Sequence, residues 1–377
     1  MSEATPPVLG KGATLVVKIG SAQLTDPESG LAHGRIADWA AQIATLCAQG
    51  VRVVVVSSGA VAEGCVRLGL SERPRRLHRL QAAAAVGQVG LTHAYEQAFA
   101  AHQRRAAMVL LTHDDLADRA RYLNARTTLT TLLSMGVVPI VNENDTVATE
   151  EIRFGDNDTL GAMVTNLLQA DLLLILTDQQ GLHAADPRLE PAAPLLPVVS
   201  LADPALEAMA GAGAGSYGQG GMLTKIRAAR TAAQSGAATV IAHGGVAGVI
   251  TAVARGEALG TLLTDPGTGV AARKGWLLSQ RHVAGELVAD DGAIQALRSK
   301  GVSLLPVGCQ RVQGAFARGD LVRIVDSAGQ GVAQGLVNYS SEECQRLLGH
   351  SSGEIAQVLG YCNEDELINR DNMALLR

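Results

Sequence analysis

The sequence predicts an α/β protein, a three-layer sandwich on a mostly parallel sheet, followed by a small C-terminal domain with the strand spacing of a β-barrel. Three observations carry this prediction. Strand-like and helix-like runs alternate over residues 1–264. Several strand runs, 51–56 above all, are apolar almost throughout, broken there only by Arg52, as expected of strands buried on both faces of a parallel sheet. After Asp265-Pro266-Gly267-Thr268-Gly269 the helical periodicity gives way to short β-like pieces separated by glycines.

The elements follow in order. Residues 13–19 form a β-rich run that ends at Gly20-Ser21, and 36–49 have the spacing of an amphipathic helix closed by Gly50. The strand 51–56 stops at Ser57-Ser58-Gly59-Ala60, where a helix begins. An Ala-rich helix over 77–101, a strand over 106–111 and a helix over 121–135 come next. The strand 137–141 breaks off into Asn142-Glu143-Asn144-Asp145. A polar excursion then leads through Phe154-Gly155-Asp156-Asn157-Asp158 into helical spacing at Leu160, Met163, Val164, Leu167 and Leu168. Residues 170–176 are another buried strand, ending in Thr177-Asp178. A short helix (204–210), a glycine-rich loop, a helix (222–235) and strands at 238–242 and 260–263 complete the βαβ pattern. Beyond it, β-like pieces lie at 285–288, 303–305, 320–325, 332–333 and 336–337. The expected boundaries are a catalytic domain over 10–264, a linker over 265–280, a small β domain over 281–361 and a loosely held tail over 362–377.

Composition excludes several classes. Apolar residues make up 47% and aromatic residues 3%, so the cores are built from Ala, Val and Leu. No apolar run is long enough to cross a membrane, and the N-terminus lacks a signal-peptide pattern. Cys47, Cys65, Cys309, Cys344 and Cys362 are scattered, without the spacing of a zinc site or a disulfide framework, so a cytoplasmic location is expected. A net charge of −5 gives no electrostatic footprint for nucleic acid over the whole chain. Of 31 cationic residues only Lys11, Lys18, Lys225, Lys274 and Lys300 are lysines. Two of these adjoin glycine loops, which suggests a need for a compact ammonium group.

The chemistry gathers at strand ends. In open α/β sheets ligands bind beyond the carboxyl ends of the strands. The Asn142–Asp145 and Asp156–Asp158 clusters sit there, with more amides and carboxylates than a helix cap and a solvated loop require. Lys18 ends a strand just before Gly20-Ser21, where backbone N–H groups and an ammonium can meet a phosphate. The loop 211–225 contains Gly213, Gly215 and Gly218 in GxGxxG spacing, but it follows a helix and lacks the later acidic residue, so the dinucleotide reading is rejected. No Walker A pattern occurs. The loop instead feeds a helix whose first turn carries Thr224 and Lys225, and helix N-termini attract anions. Ser58 lacks the context of a nucleophile; its turn either holds an anion or simply caps a helix. The histidines form no metal-binding pattern, and no metal site is assigned. Lysines, anion-friendly turns and a carboxylate between them suit phosphoryl transfer, which depends on positioning and charge neutralisation.

The segments VVKIGS, VSSGAVAEG, LNAR, NEND, FGDND, LTDQxGL, ADPR and GGMxTK, in this order, closely resemble the glutamate 5-kinases of the amino-acid kinase family, and the resemblance runs from about residue 15 to 361. The C-terminal part resembles a PUA domain. The resemblance implies ATP-dependent phosphorylation of the side-chain carboxylate of L-glutamate, with Mg²⁺ on the ATP phosphates. It also implies a homo-oligomer inhibited by proline and prompt hand-off to glutamyl phosphate reductase. By the same resemblance Lys18 and Lys225 neutralise the transferred group and Asp158 organises them. Ser58, Asp145 and Asn157 hold glutamate, with Gly59, Asn142 and Asp156 close by. ATP meets Lys18, Gly20, Thr177, Asp178 and the run Gln219, Gly220, Gly221, Met222, Leu223, Thr224 and Lys225. Gln219 and Leu223 stand where the family carries hydroxyl residues, which bears on the nucleotide contacts and not on Lys225.

Residues 281–377 carry 9 Lys and Arg against 12 Asp and Glu, which favours a structural or regulatory role over RNA binding. A sister kinase acting on acetylglutamate or uridylate, and an RNA-binding protein with an inactive kinase half, are the rival readings. The NEND and GDND pair argues against the first, and intact Lys18, Asp158 and Lys225 against the second.

Overall fold

The computed structural model describes residues 5–26, 30–148, 157–187, 189–209, 221–265 and 283–376. The chain divides into two compact units, 1–115 with 126–269, and 116–125 with 270–377. The grouping of 116–125 with the C-terminal unit is not visible in local periodicity.

The first unit is built on an eight-stranded sheet. Its strands are β1 (Thr14–Ile19), β4 (Arg52–Val56), β5 (Arg105–Leu111), β6 (Val137–Glu143), β7 (Leu172–Thr177), β8 (Val198–Ser200), β9 (Ala238–His243) and β10 (Thr261–Thr264). A two-stranded ribbon of β2 (Thr25–Asp26) and β3 (Gly30–Leu31) stands apart. The sheet order is β5-β6-β4-β1-β7-β9-β10-β8, parallel throughout except for the antiparallel β9–β10 pair. The central strands β1 and β7 are buried along their whole length, as their apolar runs predict.

Strand alternation divides the packing into two layers of helices. Leu15, Val17 and Ile19 join a core with Ile36, Trp39 and Ile43 of helix His33–Ala48, Leu91 and Tyr95 of helix Leu77–Ala100, and Ile250 of helix Val249–Ala254. Side chains two residues apart share a face, so Val16 and Lys18 point the other way. There Lys18 packs against Gly161 of helix Asp158–Leu168; a Cβ on Gly161 would stand 3.3 Å from the Lys18 Cβ. The sheet is therefore the middle of three layers, and Lys18 faces the layer that carries Asp158.

The second unit contains a five-stranded sheet in the order β12-β11-β13-β14-β15. The strands are β11 (Gly285–Ala289), β12 (Cys309–Gly314), β13 (Leu321–Val325), β14 (Gly331–Leu336) and β15 (Met373–Leu375). The β11–β13 pair is parallel and the other pairs are antiparallel. Three helices that the periodicity does not predict lie among the described residues of this unit, Asp291–Lys300, Ser341–Leu347 and Ile355–Leu359. Asp290 caps Asp291–Lys300 by accepting from Ala293 N at 2.7 Å, and a Ser340/Glu343 capping box starts Ser341–Leu347. That box is legible as a Ser followed three residues later by Glu.

The expected tail needs correction. Residues 373–375 form the β15 edge strand on β14, and Leu367, Ile368 and Met373 are buried in the core of this unit. Burial of these apolar side chains ties the segment to the domain. The expected linker 265–280 lies, except for residue 265, outside the described residues.

Candidate active site

Parallel registration brings the informative residues to one edge. Lys18 pairs with Val56 and Ile175, Val56 with Val141, and Leu110 with Asn142. The carboxyl ends of β1, β4, β6 and β7 therefore align, setting Lys18, Ser57-Ser58, Asn142 and Thr177 along a common rim.

Asp158 opens a helix at that rim and is fully buried. Its Oδ1 lies 2.5 Å from Lys18 Nζ and its Oδ2 3.1 Å from Lys225 Nζ. Thr224 Oγ1 donates to Oδ2 at 2.8 Å. Lys18 and Lys225 are only 3% and 5% exposed, so both ammonium groups have left bulk water. Burial by itself would push the Asp158 carboxyl up; the charges of Lys18 and Lys225, with hydrogen bonds from Lys18 and Thr224, outweigh it and hold the group well below the usual carboxylate range. The three groups together carry an excess of one formal positive charge. A phosphoryl group in flight between donor and acceptor is a fitting counter-ion.

Beside this triad lies a cavity of about 160 Å³ whose lining includes Ser58, Gly59, Asn142, Asp145 and Asn157. These are five of the six residues expected to hold the acceptor; the sixth, Asp156, lies outside the described residues. Asn157 Nδ2 donates to Ser57 O at 2.5 Å, Asn142 Oδ1 at 2.9 Å and Ser58 Oγ at 3.3 Å. The three acceptors share its two protons. Gly59 has φ +95°, a left-handed conformation that glycine adopts without strain, where the chain turns into helix Ala60–Arg67. The cavity also takes in Ser21, Thr25, Arg73 and Glu143, which the sequence reading missed. Glu143 and Ser21 carry a signal, as they stand inside the NEND and VVKIGS motifs; Thr25 and Arg73 carry none.

The expected nucleotide residues divide. Thr177 Oγ1 donates to Asp178 Oδ1 at 3.0 Å at the end of β7. Gly221 precedes helix Met222–Ala233, which places Met222, Leu223, Thr224 and Lys225 in its first turn. Gln219 and Gly220 lie outside the described residues. Gly20 stands at the end of β1, but its N–H donates to Leu176 O at 3.1 Å and so does not reach for a phosphate. What the position needs is closeness: a Cβ there would sit 3.3 Å from that carbonyl. Among the described residues no group of three or more His, Cys, Asp or Glu side chains gathers as a metal-binding cluster.

Comparison with known proteins places the chain in a family. Residues 13–243 match the amino acid kinase family, and residues 285–359 match the PUA domain. A protein of Paraburkholderia phymatum named Glutamate 5-kinase is 56% identical over 369 residues, covering 98% of this chain and 99% of its own. A Ralstonia pickettii protein of the same name is 57% identical over 362 residues, covering 96% of this chain and 97% of its own. A solved structure of UMP kinase from Bacillus anthracis aligns with a TM-score of 0.47 at 14% identity, covering 67% of this chain and 96% of that one.

Proposed function

The chain belongs to the amino acid kinase family, and from that premise we propose how its site works. It transfers the γ-phosphoryl group of ATP to the side-chain carboxylate of L-glutamate, giving L-glutamyl 5-phosphate, the first step of proline biosynthesis. The observation that carries the site assignment is the buried Lys18–Asp158–Lys225 triad beside the amide-lined cavity.

Glutamate occupies the cavity, held by Ser58, Asp145 and Asn157, with Gly59, Asn142 and Asp156 around them. Asp145 offers a carboxylate to the amino group of the substrate. The attacking carboxylate is ionised at neutral pH, so no protein base is required. It displaces ADP from the γ-phosphorus: a C–O–P bond forms as the β,γ-bridge P–O bond breaks. Lys18 and Lys225 neutralise the charge on the phosphoryl oxygens, and Asp158 keeps both ammonium groups placed. Thr177, Asp178 and the 219–225 segment, with Lys18 and Gly20, form the ATP side. Mg²⁺ fits as a companion of the ATP phosphates, since the Asp158 carboxylate is committed to the two lysines and Mg²⁺ is commonly held through substrate phosphates.

The same reading takes 10–264 as the catalytic domain, 265–280 as the linker and 281–361 as the PUA domain, with 362–377 folded into the latter. It places the enzyme in the cytoplasm as a homo-oligomer inhibited by proline, passing its unstable acyl phosphate to glutamyl phosphate reductase. Among the described residues no helix is long and apolar enough to cross a membrane.

The test is ATP-dependent hydroxamate formation with L-glutamate, N-acetylglutamate and aspartate supplied separately. Product with L-glutamate alone is expected. Product with either other acid would move the acceptor assignment, and no product with any of them would sink the proposal.

A further inference from the structure

The acceptor cavity is backed by a helix, Leu77–Ala100, that supplies none of its lining residues. Two side chains of that helix, Gln88 and Tyr95, are seven residues apart and so share a face. Both reach the wall of the pocket from behind. Tyr95 OH meets Ser57 Oγ at 3.0 Å, and Gln88 Oε1 accepts from Asn142 Nδ2 at 2.9 Å. Asn142 in turn accepts from Asn157 Nδ2 through its Oδ1, also at 2.9 Å.

A carboxamide has a donor on one branch and an acceptor on the other. With the Gln88 oxygen on one side and the Asn157 NH₂ on the other, only one orientation of Asn142 satisfies both neighbours. The flipped orientation sets oxygen against oxygen and nitrogen against nitrogen. Asn157 is oriented by this chain of bonds together with the Ser57 carbonyl, which can only accept. It gives Nδ2 to Asn142, Ser57 and Ser58, which leaves Oδ1 on its opposite branch as the atom able to receive an ammonium group.

Gln88 keeps this arrangement at a cost. Its Nε2 is buried and, among the described residues, has no hydrogen-bond partner. Such a group destabilises a fold, and an apolar side chain of equal length would avoid the penalty. What glutamine offers here is therefore its oxygen.

We propose that Gln88 is a positioning residue of the acceptor pocket, fixing the Asn142 amide, which together with the Ser57 carbonyl holds Asn157 in the orientation that receives the amino group of the substrate. The inference rests on the assignment of this cavity to glutamate. Replacing Gln88 by Met keeps the length and removes the acceptor. In the hydroxamate assay Gln88→Met is expected to raise the KM for L-glutamate about tenfold, with kcat and the KM for ATP changed less than about twofold. In an Asn142→Ala background the same substitution should add nothing to the KM, because the relay is already broken. Gln88→Ala, judged by the same two measurements, serves if thermal unfolding shows the Met variant to be misfolded. An unchanged KM for glutamate, equal rises for glutamate and ATP, or additive losses in the double variant would each overturn the proposal. If the wild-type chain forms no product with glutamate, the pocket assignment falls and this inference with it. A wild-type chain active on glutamate, with an unchanged KM in the variant, overturns this inference alone.

Discussion

Lys225 and Asp158 have different tasks, and substitutions should separate them. In the proposed mechanism Lys225 meets the phosphoryl group most strongly while charge is in transit. Lys225→Ala is therefore expected to lower kcat by about a hundredfold or more with a much smaller change in the KM for glutamate, measured by steady-state kinetics; equal changes in both would remove its transition-state role. Asp145 lines the acceptor cavity, so Asp145→Ala should chiefly raise the KM for glutamate, and an unchanged KM would take it out of the site. Asp158 is a buried carboxylate between two cations. Removing its charge in Asp158→Asn leaves the lysines buried without it, at a cost of about 3–5 kcal/mol in unfolding free energy. Because the folded pKa of Asp158 is depressed, its contribution is full above the unfolded value of about 4 and drains as the pH falls below it. The stability gap between wild type and Asp158→Asn should thus be alike at about pH 7 and pH 5 and shrink below about pH 4. A gap that shrank between the two higher values would contradict the depressed pKa.

Helices Ala60–Arg67 and Leu77–Ala100 touch backbone to backbone, and glycine makes this possible. A Cβ on Gly64 would come within 1.7 Å of Ala83 O, and one on Gly87 within 1.8 Å of Ala60 O. Ala60 lines the acceptor cavity, so the distance between these helices bears on the pocket. Gly87→Ala must push the helices apart. It is expected to destabilise the protein by about 1–3 kcal/mol in denaturant unfolding and to raise the KM for glutamate as well. Loss of stability with an unchanged KM would show that the pocket wall does not follow the helix. A similar dependence governs the end of the chain. Deleting 362–377 removes β15 and the buried Leu367, Ile368 and Met373. Limited proteolysis should then cut the C-terminal unit much faster than in the full chain, and unchanged protection would mean that this segment contributes nothing to its core.

Across the whole molecule, legibility follows the range of the interaction that decides each feature. Most strands of the large sheet were readable because a buried parallel strand is an apolar run, and β1, β4 and β7 consist of little else. Lys18, Asp158 and Lys225 stood out because each closes or opens an element beside glycines or amides, which is local information. The antiparallel β9–β10 pair was not readable, since strand direction depends on how the chain returns to the sheet. Nor was the strand β15, a short piece that becomes a strand only because β14 offers it an edge. Arg73, Gln88 and Tyr95 carry no motif and reach the site through the packing of distant segments.

The amino-acid order alone thus determined the α/β class and the charged groups that meet at one edge of the sheet, because periodicity and chain breaks are written in neighbouring residues. The tertiary structure alone decided which partner each polar group takes. It gave the Gly20 N–H to a carbonyl instead of a phosphate, and it turned the Asn142 amide between Gln88 and Asn157. A hydrogen bond depends on distances of a few tenths of an ångström, and those are set only when segments far apart in the chain have packed.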